Sequence, residues 1–222
     1  MADLIPYVIR QGDYMTKLAH TCGFDVDEVW NDSKNDAIRA LRPDKDILAP
    51  GDIVYLPKEP KPGLDFTKEA TNKFKATVPK VEVTITFMDP DGPFANEPFE
   101  VQGLERPGEG VAAGGPKDER TTDGDGKATL SVPVTVREVV AFFPKRNTAF
   151  AIRVGDMDPE DETTGIKKRL ANLGYLPPDL SKDAESEYLP SAIRSFQKDQ
   201  GLTITGTLDD ATIKALKAAH KQ

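Results

Sequence analysis

The stretch YVIRQGDYMTKLAHTCGFDVDEVW (residues 7–30) and its closing segment ILAPGDIVYLP (47–57) decide how the chain begins to fold. Tyr7–Ile9 is a short β-branched run that Gly12-Asp13 breaks. Met15, Leu18, Ala19 and Cys22 follow at the spacing of one helical face, with Asp13 placed as N-cap and Gly23 as the closing residue. A second helix opens at once: Asp25 is its expected cap, Glu28 completes a capping-box pattern, and Phe24 and Val29 stand where a hydrophobic staple would put them. Pro50-Gly51 is a turn, and Ile53, Val54 and Leu56 make a closing strand that ends at Pro57. The order strand, helix, helix, strand lets the two strands pair antiparallel with both helices on one face. Between Trp30 and Ile47 lies a longer segment, with an extra helical turn expected at Asp36–Leu41.

These residues resemble a LysM module: Gly-Asp after a short strand, two short helices, then Pro-Gly-Asp before Val-Tyr-Leu-Pro. That family is a small βααβ domain that binds N-acetylglucosamine-containing glycans, chiefly peptidoglycan and chitin. The resemblance implies a sugar groove between the loop after the first strand (Gly12, Asp13, Tyr14) and the loop before the second (Leu48, Ala49, Pro50, Gly51). Tyr14 stands where the family usually has Thr or Ser, and the segment between Trp30 and Ile47 is longer than usual.

The chain has 222 residues, 38% hydrophobic and 30% charged, enough for one large domain or two to three small ones, each with a modest core. Its net charge of −8 argues against nucleic acid or an anionic membrane surface as the main partner, because both need clustered Lys and Arg. A neutral glycan is compatible with that charge. No apolar run approaches a membrane span, and the N-terminus lacks the basic and apolar regions of a secretory signal. A single cysteine excludes an internal disulfide and fits synthesis in the cytoplasm. The expected site of action is the cell wall or periplasm, or beyond it by a dedicated export apparatus.

Four segments follow: 1–57, the LysM-like module; 58–77, a Pro- and Lys-rich linker (PKEPKPG) running into a strand near Phe74; 78–155, a β-domain; and 156–222, a helical unit. In the β-domain Val81, Val83, Ile85 and Phe87 alternate with polar residues, as do Ala128, Leu130 and Val132. Phe99 and Val101 mark another strand, and Val134–Phe142 and Thr148–Val154 two more. Asp123-Gly-Asp-Gly126 is the strongest hairpin signal in the chain. Short strands at regular intervals predict a small antiparallel β-sandwich, similar in architecture to immunoglobulin-like or transthyretin-like accessory domains. Asp89, Asp91, Asp123 and Asp125 are read as turn residues. A calcium loop counted from Asp123 would need Glu at its twelfth position, which is Val134.

In the last segment Ile166, Leu170 and Leu173 line one helix that Gly174 ends. Leu189, Ala192, Ile193 and Phe196 line a second, which must start near Glu187–Leu189 because Pro190 is tolerated only in a first turn. Asp209 caps a third, with Leu208 against Ile213 as a staple and Leu208, Thr212, Ala215, Leu216 and Ala219 facing inward. Three short amphipathic helices make a bundle. Gly165-Ile-Lys-Lys-Arg-Leu, Leu173-Gly-Tyr, Ala192-Ile-Arg-Ser-Phe-Gln, Gly201-Leu, Gly206 and Thr212-Ile-Lys-Ala-Leu resemble the three-helix peptidoglycan-binding domain found beside murein hydrolases. The match spans about 164–220, with the segment 177–189 replacing the family's Gly-rich turn. Phe196, Gln197 and Leu173-Gly174-Tyr175 read as core and cap.

Catalytic residues are not evident. The two histidines, His20 and His220, lie at opposite ends of the chain, and no zinc-ligand string of the H-E-x-x-H kind occurs. Cys22 and His20, two apart on one helix, diverge by about 200°, and Cys22 falls on the apolar stripe. No cofactor or metal site is expected, and the protein is read as a non-enzyme, with a murein-acting hydrolase or a structural adaptor whose modules have lost sugar binding as the alternatives. The fold class is multidomain α+β: βααβ module, β-sandwich, three-helix bundle. Two wall-binding modules around a β-domain are similar in layout to accessory proteins of contractile injection systems such as type VI secretion. That layout implies peptidoglycan or a chitin-like glycan as ligand and a spike protein or effector as partner of the β-domain. The β-domain has Phe but no Trp or Tyr, so it reads either as a passive spacer that holds the two wall modules apart or, through its Gly-rich loop Gly103–Arg120, as a surface for protein rather than sugar contact.

Overall fold

A computed structural model describes residues 3–61, 67–69, 71, 77–89, 91–104, 118–177 and 188–220. Strand β1 (Leu4–Val8) pairs antiparallel with β2 (Ile53–Pro57), with Tyr7 opposite Val54. Between them run α1 (Met15–Cys22), α2 (Val26–Trp30), a 3-10 turn at Ser33–Asn35, and α3 (Asp36–Leu41). Ile9, Met15, Leu18, Val29, Trp30, Ile38, Leu48, Val54 and Leu56 form one buried cluster, with Val54 and Leu56 supplied by the inward face of β2. The longer segment between Trp30 and Ile47 is pinned rather than looped out. Asn35 is fully buried and satisfies strand β2 like a further strand: its Oδ1 accepts from the Tyr55 amide at 2.7 Å and its Nδ2 donates to the Tyr55 carbonyl at 3.0 Å.

Three local expectations are corrected here. Asp13 does not cap α1; Tyr14 is the N-cap residue, and the Asp13 carboxylate accepts instead from the Tyr7 hydroxyl at 2.9 Å. The helix N-terminus is capped from a distance, Asp46 accepting from the Thr16 amide at 2.8 Å and the Thr16 hydroxyl at 2.7 Å. Cys22 is exposed, not buried. At Gly23, with φ of 71°, the chain folds back so that the amides of Gly23 and Phe24 both donate to the Ala19 carbonyl, and Phe24 takes the core place at the helix end. Asp25 caps α2 through the amides of Asp27 and Glu28, but the reciprocal half of the box does not form: Glu28 pairs with Lys61 at 2.7 Å. Lys61 also donates its amide to the Gly23 carbonyl, so residues 58–61 lie against the first unit.

The β-domain is a two-layer sandwich. One layer is the four-stranded sheet β10-β9-β6-β7 and the other the pair β3-β8. The strands are β3 (Lys80–Thr86), β6 (Pro98–Gln102), β7 (Asp118–Thr121), β8 (Lys127–Pro133), β9 (Glu138–Phe143) and β10 (Thr148–Arg153). The two-residue strands β4 (Met88–Asp89) and β5 (Gly92–Pro93) make a small ribbon. Phe87, Phe94, Phe99, Phe143 and Phe150 meet in the core, with neighbouring ring centroids 4.9–5.9 Å apart. The Asp-Gly-Asp-Gly turn is not a hairpin: β7 before it pairs with β6, and β8 after it pairs with β3, so the turn crosses between layers. The Asp123 carboxylate accepts from the amides of Asp125 and Lys127, and the Phe87 amide donates to the Gly126 carbonyl at 2.8 Å. Phe87 draws Gly126 to its own strand, which overrides the local hairpin preference. Strand β9 also starts later than expected, because Val134 and Val136 are buried within a turn whose Val136 amide donates to Pro133.

Helices α4 (Thr163–Asn172), α5 (Leu189–Asp199) and α6 (Asp210–His220) enclose Ile166, Leu170, Leu176, Ala192, Ile193, Phe196 and Leu216. Asp209 accepts from the Thr212 amide at 2.7 Å, the cap expected from sequence. Ala219 is exposed rather than inward, and His220 is half-buried one position on. The whole is a multidomain α+β chain with three separate hydrophobic clusters. The strand expected near Phe74, the middle of the Gly103–Arg120 loop and most of the segment 177–189 lie outside the described residues. Among the described residues, no helix is long and apolar enough to cross a membrane.

Candidate functional site

Two places carry the functional expectations: the paired loops of the first unit, and the bundle. In the first unit, β1 and α1 bring Gly12, Asp13 and Tyr14 together, and the turn before β2 carries Leu48, Ala49, Pro50 and Gly51. Pro50 and Gly51 are exposed. Leu48 belongs to the unit's own core, and Ala49 is buried with its amide donating to Asp52 at 2.8 Å. Gly12 and Tyr14 are buried too, Tyr14 to 3% exposure. Asp13 is half-buried and paired with Lys17 at 3.3 Å.

What covers Gly12 and Tyr14 is the rest of the chain. The Tyr14 ring lies against Gly155 so closely that a Cβ there would sit 2.6 Å from two ring carbons. A Cβ on Gly12 would sit 2.8 Å from the Arg137 guanidinium. Burial, with a smaller contribution from the Asp46 charge, pushes the Tyr14 phenol up to about 12. Gln11 donates to Asp156 at 3.1 Å and Asp158 at 3.3 Å. Arg42, only 4% exposed, holds Asp52 at 2.9 Å, Asp161 at 2.6 Å and Glu162 at 3.1 Å. Burial alone would lower that guanidinium, but the hydrogen bonds it donates to Asp52 and Asp161 outweigh it and the group is raised. Sequence reasoning left Arg42 unmentioned; its partners at 161 and 162 are too distant in the chain for any local pattern to show.

In the bundle, the loop 201–207 between α5 and α6 is ordered by Gln197. That side chain is fully buried. Its Oε1 accepts from the amides of Thr205 and Gly206, each at 2.9 Å. Its Nε2 lies 2.9 Å from the Thr205 hydroxyl, 2.9 Å from the Thr212 hydroxyl and 3.0 Å from the Thr207 carbonyl. Read from sequence as core and cap, Gln197 is the hub of this loop. On the outside, Ile204 is 55% exposed and the Arg194 guanidinium lies across Gly206, where a Cβ would meet Nε at 2.8 Å. The loop therefore presents an apolar side chain and a cation on a backbone fixed from below. Such a surface can meet a sugar face and a carboxylate together. Lys167, on α4, is fully buried, and its Nζ has no hydrogen-bond partner among the described residues. Among those residues no group of His, Cys, Asp and Glu has the arrangement of a metal site.

A family model described as a putative peptidoglycan binding domain matches residues 160–216. The match covers the first two helices of the bundle, the loop that Gln197 orders and α6 as far as residue 216, so the helical unit is similar to a peptidoglycan-binding domain. It reaches neither the β-domain nor the first unit. No curated protein and no solved structure matches the chain.

Proposed function

We propose that this protein is a non-catalytic peptidoglycan-binding protein whose helical bundle makes the wall contact through the loop 201–207. The observation that carries this is the family match over 160–216 on a bundle whose loop is fixed by Gln197 and topped by Arg194 and Ile204. Peptidoglycan offers N-acetylated sugars and peptide carboxylates; Ile204 suits the former and Arg194 the latter. The βααβ arrangement of the first unit and its Gly12-Asp13 and Pro50-Gly51 turns support a LysM-like role in recognising N-acetylglucosamine glycans, peptidoglycan or chitin-like. Two such units on one chain would gain avidity on a repeating polymer. The β-domain between them, with Phe87, Phe94, Phe99, Phe143 and Phe150 turned into the core, suits a protein partner such as a spike component or effector of a contractile injection apparatus. Such an apparatus would also bring the chain to the wall.

The test is co-sedimentation of the full chain with purified sacculi. The chain pellets with the wall, and Arg194→Glu with Ile204→Asp lowers the affinity about tenfold, the effect of losing roughly 1.4 kcal/mol. Unchanged sedimentation of that variant refutes the assignment. The same incubation releases no soluble muropeptides; release that disappears on replacing a single Asp or Glu would make the protein a hydrolase.

A further inference from the structure

The segment 154–162 leaves the β-domain and enters the bundle, and on its way it straps the first unit. Asp158 is held from the bundle by Lys168 at 2.8 Å and by Arg169, which donates to its carbonyl at 2.7 Å; from the first unit Gln11 reaches the same residue. Glu160 pairs with Lys217 of α6. Asp161 and Glu162 meet Arg42. At the start of the strap Gly155 receives the Tyr14 ring, and α4 is seated so tightly under it that a Cβ on Gly165 would lie 1.9 Å from the Pro159 carbonyl. The strap is thus fixed firmly to the bundle, while its hold on the first unit is mostly polar.

That hold is the weaker side for two physical reasons. Asp161 and Glu162 keep 54% and 46% of their side-chain surface in water, so their attraction to Arg42 is screened by salt. Arg42 retains buried Asp52 when they leave, so release does not strand it without a counter-charge. The contact is also incompletely packed. Beside Tyr14, a cleft of about 410 Å³ remains between Thr16 and Asp46 on one side and Val81, Val83 and Met157 on the other. Polar, partly wetted contacts between units of one chain are the kind that open.

We propose that the strap 154–162, with Arg137, is an autoinhibitory latch on the first unit: closed, it hides Gly12 and Tyr14; released at the Arg42 cluster, it exposes them to a glycan. The proposal rests on the reading of the first unit as a recogniser of N-acetylglucosamine glycans. It assigns the strap a regulatory role and Arg42 the position of its catch.

Three full-length chains test it by small-angle scattering and by calorimetric titration with an N-acetylglucosamine hexamer: the natural sequence, a released chain carrying Asp161→Asn, Glu162→Gln and Gly155→Ala, and a locked chain. The locked chain carries Gln11→Cys and Asp156→Cys joined by a short bismaleimide, with the exposed Cys22→Ser so that no other thiol reacts. The released chain expands and binds the hexamer about tenfold tighter than the natural chain, the factor expected when roughly one chain in ten is open at rest. The locked chain does not bind. If the released chain does not expand, the strap is not the catch. If natural, released and locked chains bind alike, the first unit recognises the glycan but is not inhibited. If none binds although the released chain expands, the glycan reading fails and the latch fails with it. Sedimentation with sacculi through the bundle is scored separately on the same three chains.

Discussion

Replacing Gln197 by Leu is the sharpest perturbation of the bundle. The volume is kept, so no large cavity forms, and the effect isolates the polar hub. Five contacts of 2.9–3.0 Å are lost. Thr205 and Thr207 are exposed, so their groups regain water. The Gly206 amide is buried and does not, while the buried Thr212 hydroxyl keeps its hydrogen bond to the Asp209 carboxylate. The orphaned Gly206 amide costs about 1–3 kcal/mol and the lost Thr212 hydrogen bond about 1 kcal/mol, against which the Leu side chain recovers roughly 1 kcal/mol of transfer energy. The net loss is about 1–3 kcal/mol, a large share of the stability of a small unit. Urea denaturation followed by helical circular dichroism reads it, and amide exchange at Thr205 and Gly206 reports whether the loop comes loose. Thr212→Val alone costs about 1 kcal/mol, and the double variant loses less than the sum because both changes remove one shared contact. A loss below about 1 kcal/mol in Gln197→Leu, with both amides still protected, would refute the hub. Sacculus binding falls with the loop even where the helices survive.

Lys167→Met stabilises the bundle by about 1–3 kcal/mol, because it removes a buried amine with no hydrogen-bond partner among the described residues while keeping the stem's packing; a lower urea midpoint would contradict this. The Tyr14 phenol, raised from 10.0 to about 12, stays protonated when folded at pH values where the unfolded chain has already ionised; stability is present below pH 10 and declines between 10 and 12, and Tyr14→Phe flattens that part of the profile. His220 is lowered from 6.5 to about 4 by burial and then by the Arg169 charge, so the unfolded chain protonates first; stability falls as pH drops from 6.5 towards 4, and His220→Gln removes that slope, which partial exposure keeps well under the full linkage value.

Much of the fold was legible in the sequence because its signals are local. The Asp25 and Asp209 caps, the Gly23 terminus, the extra helix Asp36–Leu41 and the Pro190 start of α5 all depend on residues within a few positions of one another. Periodicity gave the three hydrophobic clusters for the same reason: a helix face or strand face is written every three to four or every two residues. The errors fall where a distant residue supplies the competing partner. Asp46 caps α1 in place of Asp13, Phe24 fills the place expected for Cys22, and Phe87 pulls the Gly126 turn into a second layer.

The functional surface divides along the same line. The similarity of residues 160–216 to a peptidoglycan-binding domain is carried by the order of short motifs, which sequence holds intact. What Gln197 does there is a matter of five contacts closing around one buried amide, and only the packed helices bring those partners together. Gly12, Asp13, Tyr14, Leu48, Ala49, Pro50 and Gly51 could be named from sequence as two facing loops. Their accessibility could not, since Tyr14 is covered by Gly155 and Arg42 is joined to Asp161 from more than a hundred positions away. A chain's local chemistry determines which turns and helices it forms. Which of their faces remain open is decided by how the units dock, where burial and charge pairing between remote residues outweigh anything written nearby.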